Sequence, residues 1–267
     1  MDKQINYEAI ATTYAQTRNA VPWVVDVLQK HLAGLPNGSV IIELGCGTGN
    51  HSRALAELLP QHHYTGFDQS LEMLKEARSL TNKVIFALGD AQWRWPYVDG
   101  YADLVFNVDV IHYIKNLPIF FREAMRVLKP GGSLLIATDS EDDLHNRSLT
   151  YFFPESLSHE LARYPKVDEL YDAAIGAGLT YQGAETIQGT RELNDDYVAR
   201  LAAKCSSALR LISDEAHQRG LERVRLAQAQ GQLWRSLYTI YHYTKRARLI
   251  YGTGANVVAI PIAPAWP

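Results

Sequence analysis

Three glycines at alternating positions form the segment of this chain whose residue types and spacing most directly predict chemistry. They are Gly45, Gly47 and Gly49, preceded by the acid Glu43 near the end of a short apolar run. Glycines at such a strand-to-helix turn allow positive φ angles and let a ligand approach the backbone closely. The dinucleotide fingerprint has its third glycine three residues after the second, where this chain has Asn50. The spacing therefore favours a different nucleoside cofactor, and Glu43 favours one without phosphate and with a positive centre.

Four further motifs follow the glycine loop along the chain. They are Tyr64-Thr65-Gly66-Phe67-Asp68, Leu88-Gly89-Asp90-Ala91, Asp103-Leu104-Val105-Phe106-Asn107 and Arg126-Val127-Leu128-Lys129-Pro130-Gly131-Gly132. Together with the glycine loop they resemble the class I S-adenosylmethionine-dependent methyltransferases, whose first motif has the form acid-x-Gly-x-Gly-x-Gly. The resemblance covers about residues 39–138. It implies an α/β fold with a Rossmann-like sheet and a reversed last strand, S-adenosylmethionine as cofactor, and methyl transfer as the activity.

The same resemblance implies a role for the carboxylate of Asp68 at the end of the second predicted strand. Asp68 lies 19 residues beyond Gly49, a position from which a carboxylate accepts hydrogen bonds from both ribose hydroxyls in nucleotide-binding sheets. The alternative is an acid that only stabilises the dipole of the following helix. Asp90 and the backbone of Ala91 are expected to contact the adenine, with Asp90 at its amine. Gln69 is expected beside the ribose. A solvated turn is the alternative for Asp90.

Glu43 and the N-terminal segment are expected near the methionine portion of the cofactor. A buried acid at a strand end is costly without a nearby cation, so Glu43 suits a cationic ligand. Tyr7, Tyr14 and Arg18 resemble the Tyr-rich opening of the family, in which Arg18 would pair with the methionine carboxylate. Simple packing on one helical face is the alternative for the two tyrosines. The complete expected cofactor site is Tyr14, Arg18, Glu43, Gly45, Cys46, Gly47, Gly49, Asp68, Gln69, Asp90, Ala91 and Asn107.

His112 is the candidate for a general base, because it lies just past the fourth predicted strand, where ligands of open α/β sheets bind. Methyl transfer from a sulfonium is an in-line displacement, so alignment in a dry site supplies much of the rate. An amine or a stabilised carbanion needs little help, whereas a hydroxyl nucleophile usually needs a base. Many members of the resembled family also have histidine here, often without a proved acid-base role, so a structural histidine is the alternative.

The acceptor is expected to lie under the elements that cover the carboxyl edge of the sheet. Four residues follow the fifth predicted strand there: Asp139, Glu141, His145 and Tyr151. A helix predicted over 232–248 places four more on one face by their spacing, namely Trp234, Tyr238, Tyr241 and His242. Such an aromatic face is also typical of a packed core. The residues expected to contact the acceptor are Tyr7, Tyr151, Tyr238, Tyr241 and His242.

The elements that must position these residues alternate between short apolar runs and helical patterns from 39 to 138, which is typical of βαβ units around a parallel sheet. Two more strands are predicted at 180–188 and 256–260, with helices between them at about 195–211, 214–230 and 232–248. This predicts a helical cap inserted before the last strand. The four expected regions are an N-terminal helical cover at 1–38, a cofactor-binding core at 39–190, a helical cap insertion at 191–250, and the last core strand with the tail at 251–267.

The composition excludes several classes of protein. The 267 residues are 47% hydrophobic, which is ample for a packed core. A net charge of -3 gives no general attraction to nucleic acid or anionic lipid, and no run approaches the roughly 18 apolar residues of a membrane span. The two cysteines, Cys46 and Cys205, lack disulfide or metal spacing. We therefore expect a cytoplasmic enzyme with a small-molecule acceptor, no metal, no nucleic-acid partner and no membrane contact, while the oligomeric state stays open.

Two alternative functions share the same cofactor motifs. One is an enzyme that transfers or cyclises the aminocarboxypropyl portion of the cofactor and releases methylthioadenosine. The other is a regulatory protein that binds the cofactor without turnover. The chain has 15 tyrosines, and 11 of them lie outside 39–138. This distribution favours an aromatic cap around a small acceptor, which together with the intact motifs argues against the regulatory alternative.

Overall fold

The computed structural model describes residues 7–247, without the side chains of Tyr7 and Thr13. Seven strands within this range form one mixed sheet. They are β1 (Val40–Leu44), β2 (His63–Asp68), β3 (Val84–Leu88), β4 (Ala102–Val108), β5 (Leu128–Thr138), β6 (Leu179–Glu192) and β7 (Leu233–Lys245). The order across the sheet is β3-β2-β1-β4-β5-β7-β6. Strands β1 to β5 run parallel, whereas β7 runs antiparallel to β5 and β6.

Helices cover both faces of this sheet. Those described are α1 (Tyr7–Thr17), α2 (Pro22–Ala33), α3 (Asn50–Leu58), α4 (Leu71–Leu80), α5 (Leu117–Val127), α6 (Glu141–Asn146), α7 (Ser148–Phe152), α8 (Ser156–Leu161), α9 (Val167–Gly176), α10 (Asp195–Ala202) and α11 (Asp214–Ala229). One core cluster joins α2, α3 and α4 to the sheet, and a second joins α5 and α9 to its other face. The predicted Rossmann-like sheet with a reversed strand and a helical insertion before it is confirmed, since α10 and α11 precede β7.

The prediction of a helix over 232–248 is wrong, because this segment pairs with β5 and β6 as the reversed strand β7. Residues four apart share a face in a helix, but they also share a face in a strand, since four is a multiple of two. Trp234, Tyr238 and His242 therefore satisfied both patterns. Tyr241 lies on the opposite face, in the cluster with α5 and α9. The segment is rich in aromatic and β-branched residues, which favour strands.

The insertion is shorter than expected. Its helices end at Ala229, so the helical part of the expected region 191–250 is confined to α10, α11 and a 3₁₀ turn at Ala208–Arg210. These elements share a third core cluster with α7 and with Trp234 at the start of β7. The strand expected at 256–260 lies outside the described residues. No helix within residues 7–247 is long and apolar enough to cross a bilayer.

Helix α1 lies across the carboxyl edge of the parallel strands. The carboxylate of Glu8 accepts hydrogen bonds from the backbone N–H groups of Leu71 and Glu72, at 2.8 and 3.1 Å. A carboxylate at a helix N-terminus is favourable because the free N–H groups there carry partial positive charge. Glu8 thus fixes α1 against the start of α4, beside the loop that follows β2.

Candidate active site

The glycine loop after β1 requires glycine for two reasons. Gly45, Gly47 and Gly49 have φ angles of 58°, 53° and 70°, a region that side chains rarely adopt. Neighbours also approach closely: a Cβ on Gly45 would lie 2.6 Å from Val110 Cγ2, and one on Gly49 would lie 2.6 Å from Phe86 Cζ. The loop therefore turns sharply into α3 and leaves its backbone accessible on the side toward α1.

The carboxylate of Asp68 joins this loop to the start of α4. Its Oδ2 accepts a hydrogen bond from the Gly47 N–H, and its Oδ1 accepts one from the Ser70 N–H, both at 2.9 Å. Burial raises the pKa of Asp68, although these backbone hydrogen bonds act in the opposite direction. Two carboxylate oxygens provide about four acceptor positions, so Asp68 retains acceptor capacity beyond these two contacts.

The loop after β3 lies beside Asp68. The Gly89 N–H donates to the backbone carbonyl of Asp68 at 3.0 Å. The Asp90 carboxylate accepts a hydrogen bond from the Gln92 N–H at 2.9 Å. This contact belongs to a local turn, which was the alternative reading of Asp90. Ala91 is buried, and its carbonyl accepts from the indole N–H of Trp95 at 3.1 Å. The expected adenine and ribose residues are thus brought to neighbouring loops at one edge of the sheet.

Glu43 is stabilised by the protein itself. It is buried, and its Oε2 accepts from the backbone N–H of Ser52 at 3.0 Å and from the Ser52 hydroxyl. The His51 ring lies on the other oxygen, with Nδ1 3.5 Å from Oε1. The first turn of α3 therefore satisfies this acid, and its burial does not require the cationic ligand that we inferred from the sequence.

A small cavity of about 30 Å³ lies between the glycine loop and α1. Gly45, Cys46 and Glu43 line it from β1 and the loop, and Tyr14 and Arg18 line it from the N-terminal side. Burial raises the pKa of the Cys46 thiol well above its usual value, so the thiol is protonated. We call this space the smaller cavity.

Asp109 fixes the N-terminal segment to the sheet at the end of β4. Its Oδ2 accepts from Arg18 Nη2 at 3.2 Å and from the Tyr238 hydroxyl at 3.0 Å. Asp109 has a φ of 58°, which is uncommon for a residue other than glycine. Its position directly after the fourth strand was a signal that sequence reasoning could have used. Arg18 thus pairs with a carboxylate of the protein itself.

A second cavity of about 110 Å³ adjoins the first and shares Tyr14, Arg18 and Asp109 with it. We call this space the larger cavity. It is enclosed by α1, by the ends of β4 and β5, by α8, by the segment after α10, and by the first half of β7. Tyr238 and Asp139, two of the residues expected near the acceptor, line it.

His112 also lines the larger cavity, on the 3₁₀ turn Ile111–Tyr113. Its ring stacks on Tyr164, with 4.3 Å between the ring centroids, and neither ring nitrogen has a hydrogen-bond partner within residues 7–247. Burial, together with the charges of Arg163, Arg147 and Arg18, holds the pKa of His112 well below its usual range. His112 is therefore neutral and weakly basic.

A buried ionic cluster beside His112 was missed by sequence reasoning, apart from Asp139. Arg147 lies between two acids, with Nη1 2.5 Å from Asp139 Oδ2 and Nη2 in contact with Glu160. The Tyr164 hydroxyl donates to Asp139 at 3.3 Å. Burial raises the pKa of Asp139 to about 7, although Arg147 acts in the opposite direction. No periodicity marks these residues, because each comes from a different short helix or loop.

Several expected acceptor residues lie elsewhere. Tyr151 is 72% exposed, and Tyr241 is buried on the far face of the sheet. His242 packs against His31 of α2 and contacts the Ser133 hydroxyl at 3.1 Å. Glu141 and His145 are exposed on α6. The side chain of Tyr7 is outside the described part of the chain.

Asn107 and Thr48 provide polar groups that the protein leaves unused. Asn107 is fully buried at the end of β4, and neither atom of its amide has a hydrogen-bond partner among the described residues. The buried hydroxyl of Thr48, within the glycine loop, has none either in that range. Buried polar groups are normally hydrogen-bonded, so the edge formed by β1 and β4 suits a polar ligand.

Comparison with known proteins agrees with this geometry. A family model described as a methyltransferase domain matches residues 42–136. The chain is 30% identical over 185 residues to malonyl-[acyl-carrier protein] O-methyltransferase of Erwinia billingiae, covering 66% of this chain and 71% of that one. The enzyme of the same name from Xylella fastidiosa is 29% identical, with 51% of this chain and 46% of that protein covered. The chain thus spans about half the length of some relatives that it matches.

A solved structure extends the likeness to the fold. The crystal structure of a methyltransferase from an antibiotic biosynthesis pathway of Anabaena variabilis matches with a TM-score of 0.65 and 22% identity. The match covers 86% of this chain and 99% of that one. At this level of identity the match shows the fold.

Proposed function

Because the chain belongs to the class I S-adenosylmethionine-dependent methyltransferases, we propose that it transfers a methyl group from S-adenosylmethionine to a small molecule held in the larger cavity. One observation carries this proposal: the two cavities meet at Tyr14, Arg18 and Asp109. In-line displacement needs donor and acceptor on opposite sides of one junction. A donor bound along the edge of β1 to β4 with its methyl group in the smaller cavity, and an acceptor in the larger cavity, would satisfy this requirement.

We assign donor binding to the edge formed by β1, β2, β3 and β4. The unpartnered amide of Asn107 and the accessible glycine loop support this assignment. Asp68 would accept from the ribose hydroxyls, while Asp90, Ala91 and Gln69 would surround the adenine and ribose. When bound, S-adenosylmethionine supplies a methyl group on a positively charged sulfur. Tyr14, Arg18, Glu43, Gly45, Cys46, Gly47 and Gly49 complete the proposed donor site.

The protein's own contribution to the reaction would be enclosure and alignment. Tyr14 lines both cavities from α1, Tyr238 lines the larger cavity from β7, and Asp109 accepts hydrogen bonds from Tyr238 and Arg18. His112 remains the candidate for a base, but its lowered pKa makes it a weak one. An acceptor that is already nucleophilic at neutral pH would need no base.

Product analysis tests the proposal. The protein is incubated with S-adenosylmethionine carrying a deuterated methyl group and with a panel of small acids, amines and phenols. The name of two relatives adds acids bound to acyl-carrier protein to this panel. S-Adenosylhomocysteine and a labelled acceptor, detected by mass spectrometry, are the expected products. Methylthioadenosine would instead indicate the alternative reaction, and tight cofactor binding without any turnover would indicate a regulatory protein.

A further inference from the structure

The larger cavity has more arginines around it than acids. Arg18 is paired with Asp109, and Arg147 is paired with Asp139 and Glu160. Three further arginines remain beside or in the cavity wall. Arg210 and Arg235 line it, and Arg163 lies over the ring of Tyr113, which lines it, at 5.7 Å.

These three arginines have no acidic partner within residues 7–247. Arg235 donates to the carbonyl of Asn146, and Arg163 reaches the Ser207 hydroxyl at 3.5 Å. The Nε of Arg163 is buried without a hydrogen-bond partner in the same range. Arg235 is exposed, whereas Arg163 and Arg210 are partly buried. A guanidinium removed from water is costly unless an anion or several acceptors compensate it. The wall therefore has unused capacity for negative charge.

The charge count supports the same conclusion. Four arginines and three acids line the larger cavity, an excess of one positive charge with Arg163 beside it, although the whole chain has a net charge of -3. The excess is thus a local feature of this wall. The hydroxyls of Ser206 and Ser207, which also line it, add hydrogen-bond donors.

We propose that the methyl acceptor is a carboxylic acid whose carboxylate binds to Arg163 and Arg210 on this wall. The planar fork of a guanidinium matches the two oxygens of a carboxylate. A guanidinium also binds phosphate, so phosphate is the anion that has to be compared with the carboxylates. The inference rests on the proposed function, because it identifies the class of acceptor for the same reaction.

Calorimetry on the protein saturated with S-adenosylhomocysteine tests this inference. The probes are malonate and succinate, with succinamide as the uncharged analogue and inorganic phosphate as the competing anion. We expect one of the dicarboxylates to bind, with succinamide and phosphate at least about tenfold weaker. Arg210→Ala and Arg163→Lys should each lower the affinity for that dicarboxylate by about tenfold.

Arg225→Ala is the matched control, because Arg225 is an exposed arginine of α11 that does not line the cavity. Its affinity for the dicarboxylate should equal that of the wild type. An equal loss in this control, or preferential binding of phosphate or succinamide, would overturn the inference. So would the binding of S-adenosylhomocysteine without binding of either dicarboxylate. Failure to bind S-adenosylhomocysteine at all would instead contradict the proposed function.

Discussion

Replacing Asp68 with alanine is expected to weaken the binding of S-adenosylhomocysteine by about 100-fold while the protein remains folded. The carboxylate lies between the N–H groups of Gly47 and Ser70, each at 2.9 Å. The substitution removes this acceptor from two backbone donors. It also removes the acceptor that we propose for two ribose hydroxyls. Stability and affinity should therefore respond to different sets of hydrogen bonds.

The expected magnitude follows from these two sets. A hydrogen bond to a charged group contributes about 1.5 kcal/mol, so the two ribose contacts amount to about 3 kcal/mol, or about 100-fold in Kd. The loss in folding stability should be smaller. Burial raises the pKa of Asp68, so removing the charge recovers part of the free energy spent on its desolvation. We expect a decrease of about 1–2 kcal/mol in the free energy of unfolding.

Asp103→Ala is the matched control. Asp103 accepts from the Val40 N–H at 2.8 Å and from Lys129 at 2.6 Å, near the start of β4 and far from its carboxyl end. Urea unfolding should show a comparable loss of stability, while titration calorimetry should show unchanged affinity for S-adenosylhomocysteine. If a folded Asp68→Ala protein binds within about threefold of the wild type, the assignment of Asp68 to the ribose is wrong.

Three further changes test the loop, the buried acid and the cover. Gly49→Ala should lower the free energy of unfolding in urea by about 2–4 kcal/mol, because of the positive φ of Gly49 and the nearby Phe86 ring. Gly176 has open space around it, so an equal loss of stability in Gly176→Ala would contradict this reason. Burial raises the pKa of Asp139 from 3.8 to about 7, so its contribution stabilises the fold below about pH 4 and is lost as the pH rises through 7. The melting temperature should therefore fall more steeply between pH 4 and 8 in the wild type than in Asp139→Asn, and parallel curves would refute the shift. Glu8→Ala should speed hydrogen exchange at the first two amides of α4 by about fivefold, equivalent to about 1 kcal/mol; unchanged exchange would show that Glu8 does not hold α1 there.

The glycine loop and the first five strands were predictable because their signals are local. Only glycine readily adopts the φ angles of 58° and 70° found at Gly45 and Gly49, so the sequence itself marks the turn. β1 and β2 occupy the residues that the apolar runs predict. The position of Asp68 followed from counting along one βαβ unit. Each of these inferences needs only neighbouring residues.

β7 and the larger cavity were not predictable in the same way. The four-residue spacing of Trp234, Tyr238 and His242 is compatible with a helix and with a strand, and pairing with β5 and β6 decides between them. Tyr238 meets Asp109 across 129 positions of the chain. No local pattern encodes a contact of that range, so the residues that line the larger cavity could be recognised only from the fold.

The sheet and the helical cap pack around separate clusters of buried side chains. The proposed donor edge is built from loops between strands whose side chains belong to the two sheet clusters, so we expect changes there to disturb the sheet. The cap has its own cluster, which includes Leu201, Leu209 and Val224 but excludes the central strands. Arg210 and Ser207 lie in this separately packed unit, between α10 and α11. We therefore expect substitution in the cap to change acceptor preference more than it changes binding of the cofactor.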